Sequence, residues 1–509
     1  MALRLANSEG KPPRDIATRI IAKLEIADLC EPPEIAGPGF INFRLKTEVL
    51  AQSVTDQLAD LHVGVPQTGS PQVVVIDYSS PNVAKQMHVG HLRSTVIGDC
   101  LRRVIAGLGH HVIAQNHIGD WGTQFGMLVE QILDERIDAS TLTLPEADAL
   151  YARASAHFRA DQEFSERARR RVVALQSGDQ QTHEIWRQLI NVSLAGFNAA
   201  YTRLGVLLTD DDLAGESMYD DDLPSVVADL ERSGVTVIDD GALCVFVDGF
   251  AAPMIVRKSD GGFGYSATDL AAIRHRIRDL HADRIIYVVD ARQSDHFDLV
   301  FAVARKAGFL PDNVITEHVA FGTVLGTDGK PFKTRDGTAV TLNTLLDAAE
   351  EQAAPPVALA AIKYADLSTG LNKDYVFDVA RMVQTTGNTG PYLQYAHARV
   401  TQVLRKATAR GYGEQSKVLV LEEPAEQTLA LLLTRFGDVV AEVGQTLQPH
   451  RLCSYLYELS GALAIFYEQC PVLQSSGAVR DSRLALVSAT KRVLASGLTM
   501  LGIEPVERM

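Results

Sequence analysis

Cysteine is scarce. The 509 residues hold five, Cys30, Cys100, Cys244, Cys453 and Cys470, with no CxxC pair and no zinc-like spacing. That argues against a disulfide framework and against a common zinc site, and fits buried thiols in a reducing compartment. No apolar run approaches the about 20 residues that a membrane helix needs. The opening "MALRLANSEGKPP" lacks the apolar core of a signal peptide. A cytoplasmic protein is the expectation. Two nucleotide fingerprints are missing as well: no GxGxxG follows the first apolar run, and no GxxxxGK[ST] occurs anywhere. There is no internal repeat and no low-complexity tract. Positive charge is in deficit, with 48 Lys and Arg against 63 Asp and Glu for a net −15. The whole molecule is therefore no nonspecific polyanion binder. A nucleic-acid partner would have to meet a local basic face, which favours selectivity over affinity.

What is present suits a soluble globular chain. Hydrophobic residues make up 46% and charged residues 22%, ample material for cores. The length implies roughly three domains. "RDIATRIIAKL" reads as a helix, and "EIAGPGFINFRL" as a turn followed by a strand through Ile41, Phe43 and Leu45. "HVGVPQTGSPQ" reads as a linker. "VVVID", Val73 to Asp77, has the continuous apolar character of a buried parallel strand. From Val89 to Leu108 apolar residues recur at helical spacing, and Gly109 is a stop. "HHVIAQNHIGDWG" then gives a strand and loop. Strand, helix and strand form the βαβ unit of an open α/β sheet, which binds ligands at the carboxyl ends of its strands. Residues 130–235 read as charged helices. "VTVIDDGALCVFVDG" and "APMIVRK" read as strands, and "DRIIYVVDARQSDHF" as another buried strand. From about 345 the pattern is helical, with one stripe through Leu452, Tyr455, Leu456, Leu459, Leu463 and Phe466.

The stretch "SSPNVAKQMHVGHLRS" places His88 and His91 in the first turn of the helix that follows "VVVID". Backbone N–H groups and the positive dipole end gather there, so the turn is a ready anion site. Two imidazoles can add donors to phosphate oxygens, and Gly90 leaves the backbone open to a nucleotide. A metal reading is weak, because no third ligand is near. An N-terminal cap with incidental histidines explains the pair equally well. The second motif is "GTDGKPFKTRDG", which holds Lys330, Lys333 and Arg335 in a glycine-rich loop. It suits closure on a transferring phosphoryl group, though alone it reads better as an exposed basic turn.

Together the two motifs resemble the "HIGH" and "KMSKS" marks of class I aminoacyl-tRNA synthetases, here His88-Val89-Gly90-His91 and Lys330-Pro331-Phe332-Lys333-Thr334. "DYSSPNVAKQMHVGHLRSTVIGD", "NHIGDWGTQFG", "RVVALQSGD", "GKPFKTR", "AIKYADLS", "GNTGPYLQYAHARV" and "LGIEPVERM" narrow the resemblance to the arginyl-tRNA synthetase family. It covers nearly the whole chain in order. The resemblance implies a Rossmann-like α/β catalytic domain over 67–345 with an inserted connective segment. It further implies an all-α anticodon-binding domain over 346–509, and a remnant of an N-terminal tRNA-binding domain over 1–66. It implies arginine activation by ATP, which arrives with Mg²⁺ as substrate, and transfer to the terminal adenosine of arginine tRNA. No tightly bound cofactor and no membrane partner are expected, and a monomer is the usual family state. By resemblance His88, Gly90, His91, Lys330 and Lys333 meet ATP, with Lys85 in support. Asp77, Asn82, Tyr265, Asp269 and Gln293 receive arginine, a planar cation with five donors. Tyr392, Gln394, Tyr395 and Arg399 meet the anticodon arm, where tyrosines can stack on unpaired bases. "RARRRVV" is read as a solvated helix face instead. Members commonly need bound tRNA before they activate arginine.

Two departures stand out. Met1 falls inside the family's N-terminal domain, so its first half is expected to be missing. The segment "LLDAAEEQAAPPVALAAIKYADLS" is short, and Pro355 and Pro356 are expected to interrupt a helix there. These gaps leave two alternatives: a paralogue that binds arginine or tRNA without efficient charging, and an adenylate-forming ligase serving another acceptor.

Overall fold

The computed structural model describes residues 5, 10–332, 340–412 and 419–509. Lys333, Thr334 and Arg335 of the lysine loop lie outside the described residues. Near the N-terminus α1 (Pro13–Ile21) packs on the antiparallel hairpin β1 (Glu34–Ala36) and β2 (Phe40–Asn42). Ile16, Ala17, Ile20, Ile35 and Ile41 make its small core. The expected single strand is thus a hairpin: Phe43 and Leu45 fall beyond β2, and Phe43 is exposed. Helix α2 (Thr47–Ala59) belongs with the C-terminal helices. Gln57 Nε2 donates to the Leu433 carbonyl at 2.9 Å.

The central sheet is parallel, in the order β4-β3-β8-β9. Strand β3 (Val73–Asp77) runs into α3 (Val89–Gly107), which crosses to β4 (His111–Gln115) in register, Val75 opposite Ile113. On the other side β3 pairs with β8 (Arg284–Tyr287), and β8 with β9 (Ile315–His318). Val74, Val75 and Ile76 are wholly covered, each worth about 1.5–3 kcal/mol of apolar burial. Side chains alternate along a strand, so Val74 and Ile76 join one core and Val75 the other. The strand order reverses between β3 and β8, which opens a crevice at their carboxyl ends.

The chain between β4 and β8 is the insertion. It holds helices α4 (Thr123–Glu135), α5 (Leu144–Ala160), α6 (Gln162–Gln176), α7 (Gln180–Leu204) and α8 (Leu223–Arg232). The antiparallel sheet β5 (Thr236–Asp239), β6 (Ala242–Val245) and β7 (Met254–Arg257) follows, then α9 (Tyr265–Arg278). Arg167 and Arg171 of α6 pair with Glu130 of α4, and Arg167 also with Asp134. Half of that basic run therefore holds two helices together instead of being solvated, because carboxylates on the neighbouring helix face it.

After α10 (Ser294–Lys306) and β9 come the short strand β10 (Val324–Leu325), α11 (Leu342–Glu350) and α12 (Pro355–Leu367). Pro355 and Pro356 do not interrupt a helix. They occupy the first turn of α12, where the missing N–H costs nothing. Strand β11 (Tyr375–Val376) pairs in parallel with β10. The rest is helical: α13 (Val379–Met382), α14 (Gly390–Ala409), α15 (Pro424–Thr434), α16 (Phe436–Thr446), α17 (His450–Gln469) and α18 (Gly477–Met500). The stripe from Leu452 to Phe466 on α17 is buried, in one continuous core with α3. All five cysteines are buried and free. Among the described residues no helix is long and apolar enough to cross a membrane.

Candidate active site at the carboxyl edge of the sheet

The turn after β3 carries left-handed backbone at three non-glycine residues, Ser79, Ser80 and Ala84. Such strain concentrates at functional sites. It is held by buried hydrogen bonds: Ser79 N–H to Ser94 Oγ at 2.9 Å and Ala84 N–H to Ser193 Oγ at 2.9 Å. The turn delivers His88 to the N-cap of α3. There His88 Nδ1 accepts from the Gly90 N–H, and His91 Nδ1 accepts from the His88 N–H, both at 3.0 Å. Each ring thus caps the helix, and its proton sits on Nε2. The ring centroids are 4.0 Å apart. A Cβ on residue 90 would lie 2.9 Å from His88 Cε1, so the fold of the His88 ring itself requires Gly90. Burial first, then His88 and Lys85, pull the His91 pKa down to about 3. Burial, Arg292 and Lys85 lower that of His88. The pair is neutral at pH 7 and presents two Nε2–H donors. The capping reading and the anion-site reading are therefore compatible, since each uses a different nitrogen. Lys85 sits over the Tyr151 ring at 4.0 Å. Lys330 is exposed at a hairpin tip closed by the Gly326 N–H to Lys330 carbonyl bond at 2.8 Å.

The expected arginine receivers divide into two groups. Asp77, at the end of β3, is 5% exposed and already has a cation. Its Oδ2 accepts from Arg276 Nη2 at 2.6 Å and its Oδ1 from Ser80 Oγ at 3.0 Å. Arg276 is wholly buried, donates to Gln115 Oε1 at 2.5 Å and lies over the Tyr287 ring. Asp77 is thus paired with Arg276 at the floor of the crevice. Asp269 is different. Its Oδ2 pairs with His296 Nε2 at 2.7 Å, and its Oδ1 has no partner among the described residues. Tyr265 packs edge-on against His296 and is exposed, as is Gln293. Asn82 is also exposed, and its Oδ1 fills the space that a Cβ on Gly119 would need.

The sequence reading missed Glu216. It faces Asp269 and Asp120, and its pKa is pushed up to about 7, by burial first and then by those two charges. "AGESMYDDD" gave no signal, because one glutamate in an acidic run looks like solvent-facing charge. Around this cluster His117 Nδ1, Tyr219 Oη, Arg276 Nη1 and Tyr287 Oη are buried without partners. Unpartnered buried polar atoms are costly, and four of them gather here. A cation would favour ionised Glu216. Affinity for a cationic ligand here is expected to fall as pH drops through about 7, with proton release on binding. Glu216→Gln should flatten that dependence, and calorimetry in buffers of different ionisation enthalpy reads it. The same change should raise the melting temperature of the free protein at pH 8, since it removes a carboxylate that is costly to ionise when folded.

On α14, Tyr395 is exposed, while Tyr392 is half-buried against Tyr457. The Arg399 guanidinium lies 3.9 Å from the Tyr467 ring centroid. Tyr457 and Tyr467 of α17, outside the core stripe, extend this aromatic surface. Gln394 does not belong to it. It is wholly buried and donates to the Pro356 and Glu504 carbonyls at 3.2 and 2.8 Å, tying the C-terminal tail to α12 and α14. Its helical position turns it inward, so the expected RNA contact is corrected.

Three family models match. They are "tRNA synthetases class I (R), catalytic domain" over 53–357, "DALR anticodon binding domain" over 393–509, and "Arginyl tRNA synthetase N terminal domain" over 1–45. A curated "Arginine--tRNA ligase" of Cutibacterium acnes is 62% identical, over 100% of this chain and 94% of that protein. The chain belongs to the arginyl-tRNA synthetase family. A Thermobifida fusca relative of the same name is 49% identical over 100% of this chain and 93% of its own length. Among solved structures, the arginyl-tRNA synthetase of Plasmodium falciparum matches with a TM-score of 0.85 at 28% identity, covering 100% of this chain and 92% of that one. That of Thermus thermophilus matches at 0.83 and 28%, covering 100% and 93%.

Proposed function

We propose that this synthetase-family chain carries out both half-reactions at the crevice between β3 and β8. An arginine carboxylate oxygen attacks the α-phosphorus of ATP, pyrophosphate leaves, and arginyl-adenylate forms. A ribose hydroxyl of the terminal adenosine of arginine tRNA then attacks the carbonyl carbon, and AMP leaves. Asp269 and Glu216 take the guanidinium, with Tyr265 and Gln293 at the rim, Asn82 at the α-amino end, and Asp77 with Arg276 as floor. His88 and His91 donate from Nε2 to phosphate oxygens over Gly90. Lys330 and Lys333 meet the leaving pyrophosphate, Lys85 adds positive potential, and Mg²⁺ enters with ATP as substrate. Catalysis is positioning and charge stabilisation, with no covalent step on the protein.

What carries this reading is one juxtaposition: a neutral imidazole pair and a carboxylate cluster at the same edge of one parallel sheet. Tyr392, Tyr395 and Arg399 offer stacking and charge to the anticodon arm. The domains assigned are 67–345 for catalysis, 346–509 for the anticodon arm and 1–66 for tRNA binding, in a cytoplasmic monomer. Arginine-dependent ATP–pyrophosphate exchange, with and without arginine tRNA, is the test. Exchange with arginine alone among amino acids, and only with tRNA, is expected. Exchange that needs no tRNA would favour a ligase with another acceptor, and none at all a binding paralogue.

A further inference from the structure

Arg93 stands two residues beyond His91 on α3 and faces the interior, with a side-chain exposure of 1%. Its Nε donates to Asp366 Oδ1 at 3.2 Å, and Asp366 is itself wholly buried on α12. Its Nη1 donates to two carbonyls, Gly322 at 2.8 Å and Lys373 at 3.2 Å. The Phe321 and Tyr375 rings lie 5.6 and 5.4 Å from the guanidinium, and the Tyr375 hydroxyl donates to the second Asp366 oxygen at 3.2 Å. Burying an arginine this deeply is expensive unless every contact is well made.

The two carbonyls explain what the arrangement holds. Gly322 leads into β10, which continues directly to the hairpin of Lys330. Lys373 leads into β11, the partner of β10. Further bonds stitch these approaches together: Thr323 N–H to Asp374 Oδ1 at 2.6 Å and Gly322 N–H to the Leu371 carbonyl at 2.9 Å. A Cβ on residue 322 would lie 2.6 Å from Asp374 Oδ1, so the approaches touch without room for a side chain. Downstream, the chain that returns from the lysine loop is fastened to the histidine segment by backbone alone. Val89 N–H donates to the Val340 carbonyl at 3.1 Å and Leu342 N–H to the Met87 carbonyl at 2.8 Å. One leg of the lysine loop is thus fixed to the histidine turn by a backbone ladder. The other leg reaches the same helix through the Arg93 side chain.

We propose that Arg93, oriented by Asp366, is a positioning residue that sets the upstream leg of the lysine loop relative to His88 and His91. The guanidinium donates from Nε to one carboxylate and from Nη1 to two carbonyls, while Nη2 is buried without a partner, and an ammonium cannot copy that divergent fork. The inference rests on the phosphate-site reading above.

The test uses the full chain with saturating tRNA and measures arginine-dependent ATP–pyrophosphate exchange. Arg93→Lys keeps the buried charge balanced and is expected to lower kcat at least tenfold, with KM for arginine within twofold of wild type. Asp366→Asn is the second variant, expected to act in the same direction, and it decides the matter if Arg93→Lys does not fold. A double-mutant cycle with Lys330→Ala separates positioning from general damage. If Arg93 acts through the loop, the double variant should fall no more than about twofold below the slower single variant. Full-rate exchange in the folded variants, rates that multiply in the cycle, or an arginine KM that moves with kcat would each overturn the proposal. A wild-type chain without exchange would instead sink the functional reading itself. Normal wild-type exchange with normal variants removes only the role of Arg93.

Discussion

Asp269→Asn is expected to raise the arginine dissociation constant about a hundredfold or more. Removing one partner of a desolvated, hydrogen-bonded charge pair costs about 2–5 kcal/mol. The carboxylate is mostly enclosed, with a side-chain exposure of 18%, and His296 already holds one oxygen at 2.7 Å. Asparagine keeps the volume and can keep the His296 contact. What changes is the charge, and an amide N–H can replace the acceptor that faces the guanidinium. The effect should exceed that of Glu216→Gln, because a carboxyl with a pKa near 7 is only partly charged at neutral pH. Citrulline, the uncharged isostere of arginine, supplies the control. The wild-type chain should discriminate strongly against it, and Asp269→Asn should lose most of that discrimination. Titration calorimetry with both ligands reads the result; arginine binding within threefold of wild type would remove Asp269 from the pocket.

His91→Asn is the second large effect. The activation rate should fall by about 10²–10³, the loss typical of one donor to a developing oxyanion. KM for arginine should stay close to wild type, because His91 faces phosphate. Asparagine is the informative replacement, since its Oδ1 can accept the His88 N–H and keep the helix capped. His91→Ala removes the donor and the cap together, at an extra stability cost of about 1 kcal/mol. A wild-type exchange rate in His91→Asn, with an unchanged melting temperature, would leave His91 only its capping role. The pH profile adds a check. With its pKa near 3, His91 stays neutral across the working range, so it should add no inflection near neutrality. An inflection near pH 7 belongs to Glu216, and should vanish in Glu216→Gln.

Much of this was legible in the chain itself. "VVVID" reads as a buried strand because a strand enclosed on both faces has no polar side, and α3 reads as a helix because its apolar residues keep one face. The order of strand, histidine turn and distant lysine loop points to the class I synthetases, and the further stretches around them narrow that to the family. Short-range rules failed where the answer depended on what lies across the fold. Pro355 and Pro356 look like helix breakers until the preceding chain ends one helix and they open the next. Gln394 sits among exposed-looking tyrosines, yet its neighbours in space are two carbonyls it must satisfy. Asp77 and Asp269 look equivalent as strand-edge and helix carboxylates. Arg276, one side chain from a distant helix, neutralises the first and leaves the second open. Glu216 was invisible because burial and two like charges raise its pKa, and neither is written in its neighbours.

The sequence by itself determined the parallel sheet, the helical C-terminal part, the family, and the positions of the histidine and lysine motifs. Those depend on local periodicity and on the order of residues along the chain. The tertiary structure alone decided which nitrogen of each histidine is free, which carboxylate pairs with Arg276, and how Arg93 fastens one leg of the lysine loop to the histidine helix. The Asp77 and Arg93 arrangements depend on partners 199 to 280 residues away, brought within hydrogen-bond distance only when the cores close, whereas the free histidine nitrogens depend on capping bonds two and three residues away that only the folded turn shows.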